Sequence, residues 1–163
     1  MADGKQIDTP EGIRSRIACS IATMGPIGLA PKGPGTLAAF LILIPAFYLA
    51  TWQLYYMIAI LTCVSIVLGQ WASLHAERIW GSDPSRVVID EAAGQMIAIL
   101  FVPPDPMLYI GAFVLFRIFD ILKPWPVSWI DRRKLSWSVM GDDVAAGILS
   151  RLVLLFLQVR FSS

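Results

Sequence analysis

The sequence predicts an all-α protein: a compact multi-helical bundle embedded in or lying on a membrane, built from short broken helices with a polar site at one rim. Three observations predict it. The 163 residues are 56% apolar and 15% charged, against about 25% charged in a soluble domain. The apolar runs are rich in Ala, Leu, Ile and Met and never alternate over a useful length, which argues for helices over strands. The charges are also gathered in blocks, and residues 33–76 contain no Asp, Glu, Lys or Arg. The length suits one domain over residues 1–163, opening on a polar tail at residues 1–12.

Residues 37–49 and 54–73 form two apolar arms, separated at residues 50–53 by polar and aromatic side chains that suit a membrane–water interface. The first arm is short and contains Pro45; as a helix it reaches about two-thirds of the way across the hydrocarbon layer. A second charge-poor region, residues 92–116, is interrupted at 102–106 by three prolines that no helix runs through. Its halves of about ten residues read as buried helices of a bundle or as a re-entrant hairpin. Residues 144–159 read as a last helix, carrying Arg151 and packed on the bundle or lying at the interface. If each apolar region goes out and back, the charged blocks 3–32, 77–91 and 117–143 meet on one face. Lys5, Arg14, Arg16, Lys32, Arg78, Arg86 and Arg132-Arg133-Lys134 make that face cytoplasmic. The mixed-charge opening and the break at Gly25-Pro26 do not resemble a cleaved signal sequence, so the N-terminus is expected to stay in the cytoplasm.

A formal charge of +1 offers no general attraction to a phosphate backbone, so nucleic acid is not an expected partner. Cys19 and Cys63 lie in apolar stretches with no CxxC spacing and read as buried or lipid-facing thiols. The single histidine, His75, lies far from every motif and reads as a solvated interfacial residue.

Four motifs carry chemistry. GLAPKGPGT at residues 28–36 precedes the first long helix; Thr36 can cap it, Gly35 lets backbone approach an anion closely, and Lys32 adds a charge for phosphate. VVIDEAAG at 87–94 puts Asp90 and Glu91 at the start of an apolar helix, where capping explains one acid more readily than two. FRIFDILKPWP at 116–126 places Arg117, Asp120 and Lys123 at i, i+3 and i+6 as a polar stripe on a helix that must stop before Pro124; Trp125 and Pro126 then suit an interfacial anchor. GDDVAAG at 141–147 puts Asp142 and Asp143 at another helix start. It echoes the second motif, since Asp90 and Asp143 each have a glycine four residues on, which lets two helix starts lie side by side.

Gathered together, Asp90, Glu91, Asp120, Asp142 and Asp143 cannot all stay ionised. Each like-charge contact at about 4 Å costs on the order of 4 kcal/mol at an effective dielectric near 20. A divalent cation resolves the conflict, and an all-oxygen ligand set without His or Cys selects Mg²⁺, with Mn²⁺ as a substitute. Arg117 can then grip phosphate oxygens bidentately, with Lys123 or Lys32 as a point charge.

Taken in order, the four motifs resemble the phosphatidylglycerophosphatase A family over about residues 25–147. The resemblance implies a Mg²⁺-dependent phosphatase of the bacterial inner membrane, its site facing the cytoplasm, that converts the phospholipid phosphatidylglycerophosphate to phosphatidylglycerol. It implies active-site roles for Asp90, Glu91, Arg117, Asp120, Lys123, Asp142 and Asp143. The chain departs from the family's pattern at Ala38-Ala39 and at Ser136-Trp137, the second change leaving a stiffer loop over residues 134–140. One or two Mg²⁺ ions are expected, with water as the simplest nucleophile and Asp90 or Asp143 as the covalent alternative. Two other readings compete: a lipid synthase of the CDP-alcohol phosphotransferase type, which needs several acids on one longer helix, and a transporter or membrane assembly protein, which needs acids near mid-helix.

Overall fold

Glycines and prolines set the helix boundaries. The computed structural model describes residues 12–82, 84–133 and 138–161, in which the chain forms α1 (Ile13–Ala22), a short 3₁₀ turn (Ile27–Leu29), α2 (Pro34–Thr51), α3 (Tyr55–Trp80), α4 (Ile89–Ala98), α5 (Pro106–Leu122), α6 (Val127–Asp131) and α7 (Ser138–Phe161). No strand occurs among the described residues, so the all-α class holds. The polar tail at residues 1–11 lies outside them.

α2 starts from Gly33 in the left-handed region (φ 55°) with Pro34 in its first turn, where a missing N–H costs nothing. Thr36 therefore lies inside that turn and does not cap the helix, correcting the expectation. With 18 residues α2 is about 27 Å long, more than the expected two-thirds of the hydrocarbon layer, because it begins at Pro34 and continues through Pro45. The turn at Trp52 and Gln53 falls where the sequence placed it, and α3 returns over 26 residues. α4 stops at Ala98, short of the prolines. Asp105 then caps α5, its side chain accepting from the N–H groups of Met107 (2.8 Å) and Leu108 (3.1 Å), with Pro106 next in line. α5 is 17 residues long, not about ten, because it continues past Phe116 to Leu122.

Two further expectations are corrected. α7 begins at Ser138, so Asp142 and Asp143 lie a turn inside the helix instead of at its start. The loop read over 134–140 is helical from 138 onward, while Trp137 and the rest of it lie outside the described residues.

α4 is the centre of the bundle, packed against α2, α3 and α7. The approach of α4 to α7 depends on Gly94 and Gly147. A methyl group on Gly147 would collide with the Gly94 carbonyl oxygen, and one on Gly94 would lie 2.6 Å from both the Asp143 carbonyl oxygen and the Phe116 ring. The two Asp-x-x-x-Gly segments thus lie side by side, as their spacing suggested. One apolar core joins α2, α4, α5 and α7 through Ala39, Leu43, Ile99, Tyr109, Phe116 and Leu154; a second joins α1, α3 and α4 through Cys19, Ala72, Ala76 and Ile89. At the far end Arg151 donates from Nε to the Leu100 carbonyl (2.7 Å) and from Nη2 to the Phe101 carbonyl (3.3 Å). It satisfies backbone oxygens that α4 leaves bare on ending.

α2 and α3 are long and apolar enough to cross a membrane, and only 33% and 28% of their most apolar windows are buried within the bundle. Phe40, Ile44 and Tyr48 on α2 and Ile60, Val64 and Val67 on α3 face outward. Such surface is costly in water at about 25 cal/mol per Å² and free of that cost in lipid. Cys63 lies on this exposed surface and Cys19 is buried.

Gly147→Leu is expected to force α4 and α7 apart and cost about 1–3 kcal/mol of stability. Thermal unfolding in detergent measures it, and a midpoint equal to wild type would contradict the close packing.

Candidate active site

The out-and-back path of both apolar regions brings the charged helix ends to one face. The first turns of α2 and α4, the ends of α3 and α5, α6 and the start of α7 surround a cavity of about 810 Å³, within the range of small-ligand sites. Among the described residues its lining holds seven carboxyl groups, Glu77, Asp90, Glu91, Asp120, Asp131, Asp142 and Asp143, against three cations, Arg117, Lys123 and Arg132.

Three of the acids form the inner cluster. Asp90, Glu91 and Asp143 each offer an oxygen, and these oxygens lie within 4.8 Å of one another. Asp90 and Glu91 occupy the first turn of α4, where the helix N-terminus favours negative charge. Asp90 Oδ1 also accepts from the Glu91 N–H (3.1 Å). Asp90 and Asp143 are 9% and 5% exposed, so the approach of α4 to α7 has carried two acids out of water together. Glu91 reaches the other way, to α2, where its carboxyl lies against Gly35 in the space that any β-carbon there would fill. A β-carbon at residue 35 would displace the Glu91 carboxyl from this position.

Burial and mutual repulsion act on all three. Burial, then the Asp90 charge, pushes Glu91 up to about 10. Burial raises Asp90 as well, and burial followed by the charges of Asp90 and Asp120 raises Asp143 well above the carboxylate range. Glu91 Oε2 is buried without a hydrogen-bond partner. A group of hard oxygen donors, closely spaced and short of positive charge, is chemically matched to a divalent cation of the Mg²⁺ type.

Basic residues engage the remaining acids. Arg117 Nη1 and Asp120 Oδ2 are 2.6 Å apart, one turn apart on α5, and Asp120 also abuts Asp143. Lys123 Nζ meets Asp131 Oδ1 at 2.5 Å and Asp142 Oδ2 at 2.8 Å. The expected stripe of three residues is thus a stripe of two. α5 ends at Leu122, and Lys123, left-handed at φ 44°, leaves the helix to reach α6 and α7. Of the five acids expected as metal ligands, the structure gathers Asp90, Glu91 and Asp143 into one cluster and pairs Asp120 and Asp142 with cations. Gly35 and Thr36 line the cavity, whereas Lys32 is exposed and lies outside the lining. His75 is also outside it, its Nδ1 2.8 Å from the Trp71 carbonyl oxygen.

Asp131, Arg132 and Glu77 line the cavity without having been expected as site residues. Asp131 is brought in by α6, a five-residue helix after two prolines that has no periodicity of its own to read. Its signal was its place in the charged block 117–143.

Residues 20–158 match the family described as phosphatidylglycerophosphatase A. The chain is 36% identical to phosphatidylglycerophosphatase A of Escherichia coli over 136 residues, covering 80% of this chain and 77% of that protein. It is 42% identical over 130 residues to a Bacteroides thetaiotaomicron protein named as a candidate phosphatidylinositol-3-phosphatase, covering 76% and 82%. Over 78 residues it is 37% identical to the Haemophilus influenzae phosphatidylglycerophosphatase A, covering 47% and 48%. No solved structure gives a significant match.

The buried carboxyls set a pH dependence. In chelator, folded Glu91 keeps its proton up to about 10 while the unfolded chain releases it near 4.5. The folded state then binds the extra proton, so stability falls as pH rises through that window. The unfolding midpoint in EDTA is expected to drop between pH 5.5 and 8.5, and Glu91→Gln to flatten the slope. Equal slopes in the two proteins would contradict the burial of this carboxyl.

Proposed function

The chain belongs to the phosphatidylglycerophosphatase A family, and we propose that it hydrolyses the terminal phosphomonoester of phosphatidylglycerophosphate, with Mg²⁺ held by Asp90, Glu91 and Asp143. The protein is a phosphatase, and the reaction yields phosphatidylglycerol and inorganic phosphate. The observation that carries the reading is the charge balance of the cavity. A phosphomonoester is itself an anion, and among the described residues it would meet seven carboxyl groups and three cations, two of which already face carboxylates. A cation among Asp90, Glu91 and Asp143 would let those carboxyls ionise and would offset the charge of the phosphate.

Bound Mg²⁺ would neutralise the phosphoryl oxygens and raise the acidity of water beside them. The protein's own groups do the rest. Asp90, Glu91 and Asp143 hold the cation. Arg117 takes phosphate oxygens with its guanidinium, whose Nε is buried without a partner, and Lys123 adds a point charge. Asp120 and Asp142 keep those two basic side chains aimed at the cavity. Water attacks phosphorus in line, a P–O bond forms as the bond to the glycerol oxygen breaks, and the proton released by water is matched by one taken up on that oxygen.

The apolar outer surface of α2 and α3 supports membrane association. We place the protein in the bacterial inner membrane with the cavity toward the cytoplasm, because Arg78, Arg86, Arg132 and Arg133 belong to the cavity end. A diacyl substrate would then keep its chains in lipid while its headgroup enters the rim. The competing readings lack support: the acids come from three helices, not one, and they gather at one end of the bundle, not at mid-depth.

Phosphate release from phosphatidylglycerophosphate tests the proposal. Excess EDTA is expected to abolish it, and Asp90→Asn or Asp143→Asn to lower kcat at least 100-fold without unfolding the protein; wild-type rates in any of these would refute the cation role. The Bacteroides relative makes the headgroup a separate question. Faster release from phosphatidylinositol 3-phosphate or phosphatidic acid than from phosphatidylglycerophosphate would reassign the substrate.

A further inference from the structure

Gln95 is fully buried on α4, and neither atom of its carboxamide has a hydrogen-bond partner among the described residues. A buried amide without partners costs stability that leucine or methionine would not, so its presence calls for a function. Ser73 Oγ and Arg151 Nη1 are also buried without partners, but Ser73 belongs to α3 and Arg151 already spends its other nitrogens on backbone oxygens. Gln95 differs in its place, four residues after Glu91 and so on the same helix face one turn below it.

Two features aim it at the site. The Cα–Cβ bond of a helical residue tilts toward the helix N-terminus, which sends the Gln95 side chain up toward the turn that carries Glu91. This face of α4 is closed by α2: the two helices pack together, Glu91 lies against Gly35 above, and Ala98, three residues beyond Gln95, belongs to the same core as Ala39 and Leu43 below. The unsatisfied groups in this region are complementary. Glu91 Oε2 needs a donor, and the Gln95 Nε2 amide needs an acceptor.

We infer that Gln95 is a positioning residue for Glu91, its carboxamide holding the unpartnered carboxylate oxygen through one water, while the other oxygen faces the cavity. The inference rests on the reading of Glu91 as a cation ligand. Groups that orient a metal ligand in this way typically carry 10–100-fold in metal affinity.

The test uses the full chain in detergent, as wild type, Gln95→Leu, Gln95→Met, Glu91→Gln and the Gln95→Leu/Glu91→Gln double variant. Two quantities are measured across a MgCl₂ titration: the thermal midpoint and the rate of phosphate release. Gln95→Leu and Gln95→Met are expected to match or exceed wild-type stability in EDTA. Their Mg²⁺ midpoints in both readouts should rise about tenfold or more, and the double variant should be no worse than Glu91→Gln alone. Wild-type Mg²⁺ midpoints in both single variants would overturn the inference, leaving the cation reading intact. Loss of stability in EDTA with unchanged Mg²⁺ midpoints, or failure of both to fold, would make Gln95 structural and overturn it too. A wild type indifferent to Mg²⁺ in both readouts would remove the cation reading itself, and this inference with it.

Discussion

Repulsion among three carboxyl groups held out of water is the constraint on which the rest of the structure depends. Asp90, Glu91 and Asp143 lie within a few ångströms of one another, in surroundings where unpaired negative charge is expensive. The fold forces them together by backbone contacts that leave little slack. Gly94 and Gly147 let α4 and α7 touch, which fixes Asp90 against Asp143, and Gly35 opens a gap in α2 that Glu91 fills. Gly94 and Gly147 let main chain approach main chain at distances that a side chain would prohibit, and Gly35 leaves room for the Glu91 carboxyl. The helix dipole of α4 offsets part of the charge, but a half-charge cannot balance three acids. What remains is charge that either proton uptake or a bound cation would neutralise.

Around this centre the other charged groups divide by task. Arg117 with Asp120, and Lys123 with Asp131 and Asp142, are ion pairs on the wall of the cavity. At an exposed surface such pairs contribute little. Here they keep two cations in fixed positions beside the acid cluster, so that a phosphate would find its oxygens opposed by basic groups. The same segregation shapes the exterior. The charged helix ends occupy one face, the sides of α2 and α3 stay apolar and outward-facing, and the far end is closed by Arg151 on the carbonyls that follow α4. A polar cavity on an oily body suits a substrate with a phosphorylated head and hydrocarbon tails.

Much of this was written in local features of the chain. The absence of charge from 33 to 76, the Pro-rich break at 102–106 and the charged blocks foretold the α2–α3 pair, the stop after α4 and a shared polar end for residues 77–91 and 117–143, because membrane-type sequences must segregate charge along their length. The repeated Asp-x-x-x-Gly spacing foretold the packing of α4 on α7. The sequence was silent where structure depends on contacts between distant segments. Nothing local announces that Lys123 turns out of α5 to bind Asp131 and Asp142, or that the Glu91 carboxyl lies against Gly35. α6 is too short to carry a periodic signal, and α7 begins a turn earlier than its apolar run, so Asp142 and Asp143 lie within the helix. Lys32 shows the converse: its neighbours Gly35 and Thr36 line the cavity while Lys32 stays outside.

The central claim is that a hard divalent cation belongs among Asp90, Glu91 and Asp143. Anomalous diffraction from crystals grown with Mn²⁺ as a substitute for Mg²⁺ tests it most directly. The account predicts an anomalous peak bounded by oxygens of those three residues, lost in Asp143→Asn crystals. A well-ordered cavity with no peak there, or a peak held by other residues, would contradict it.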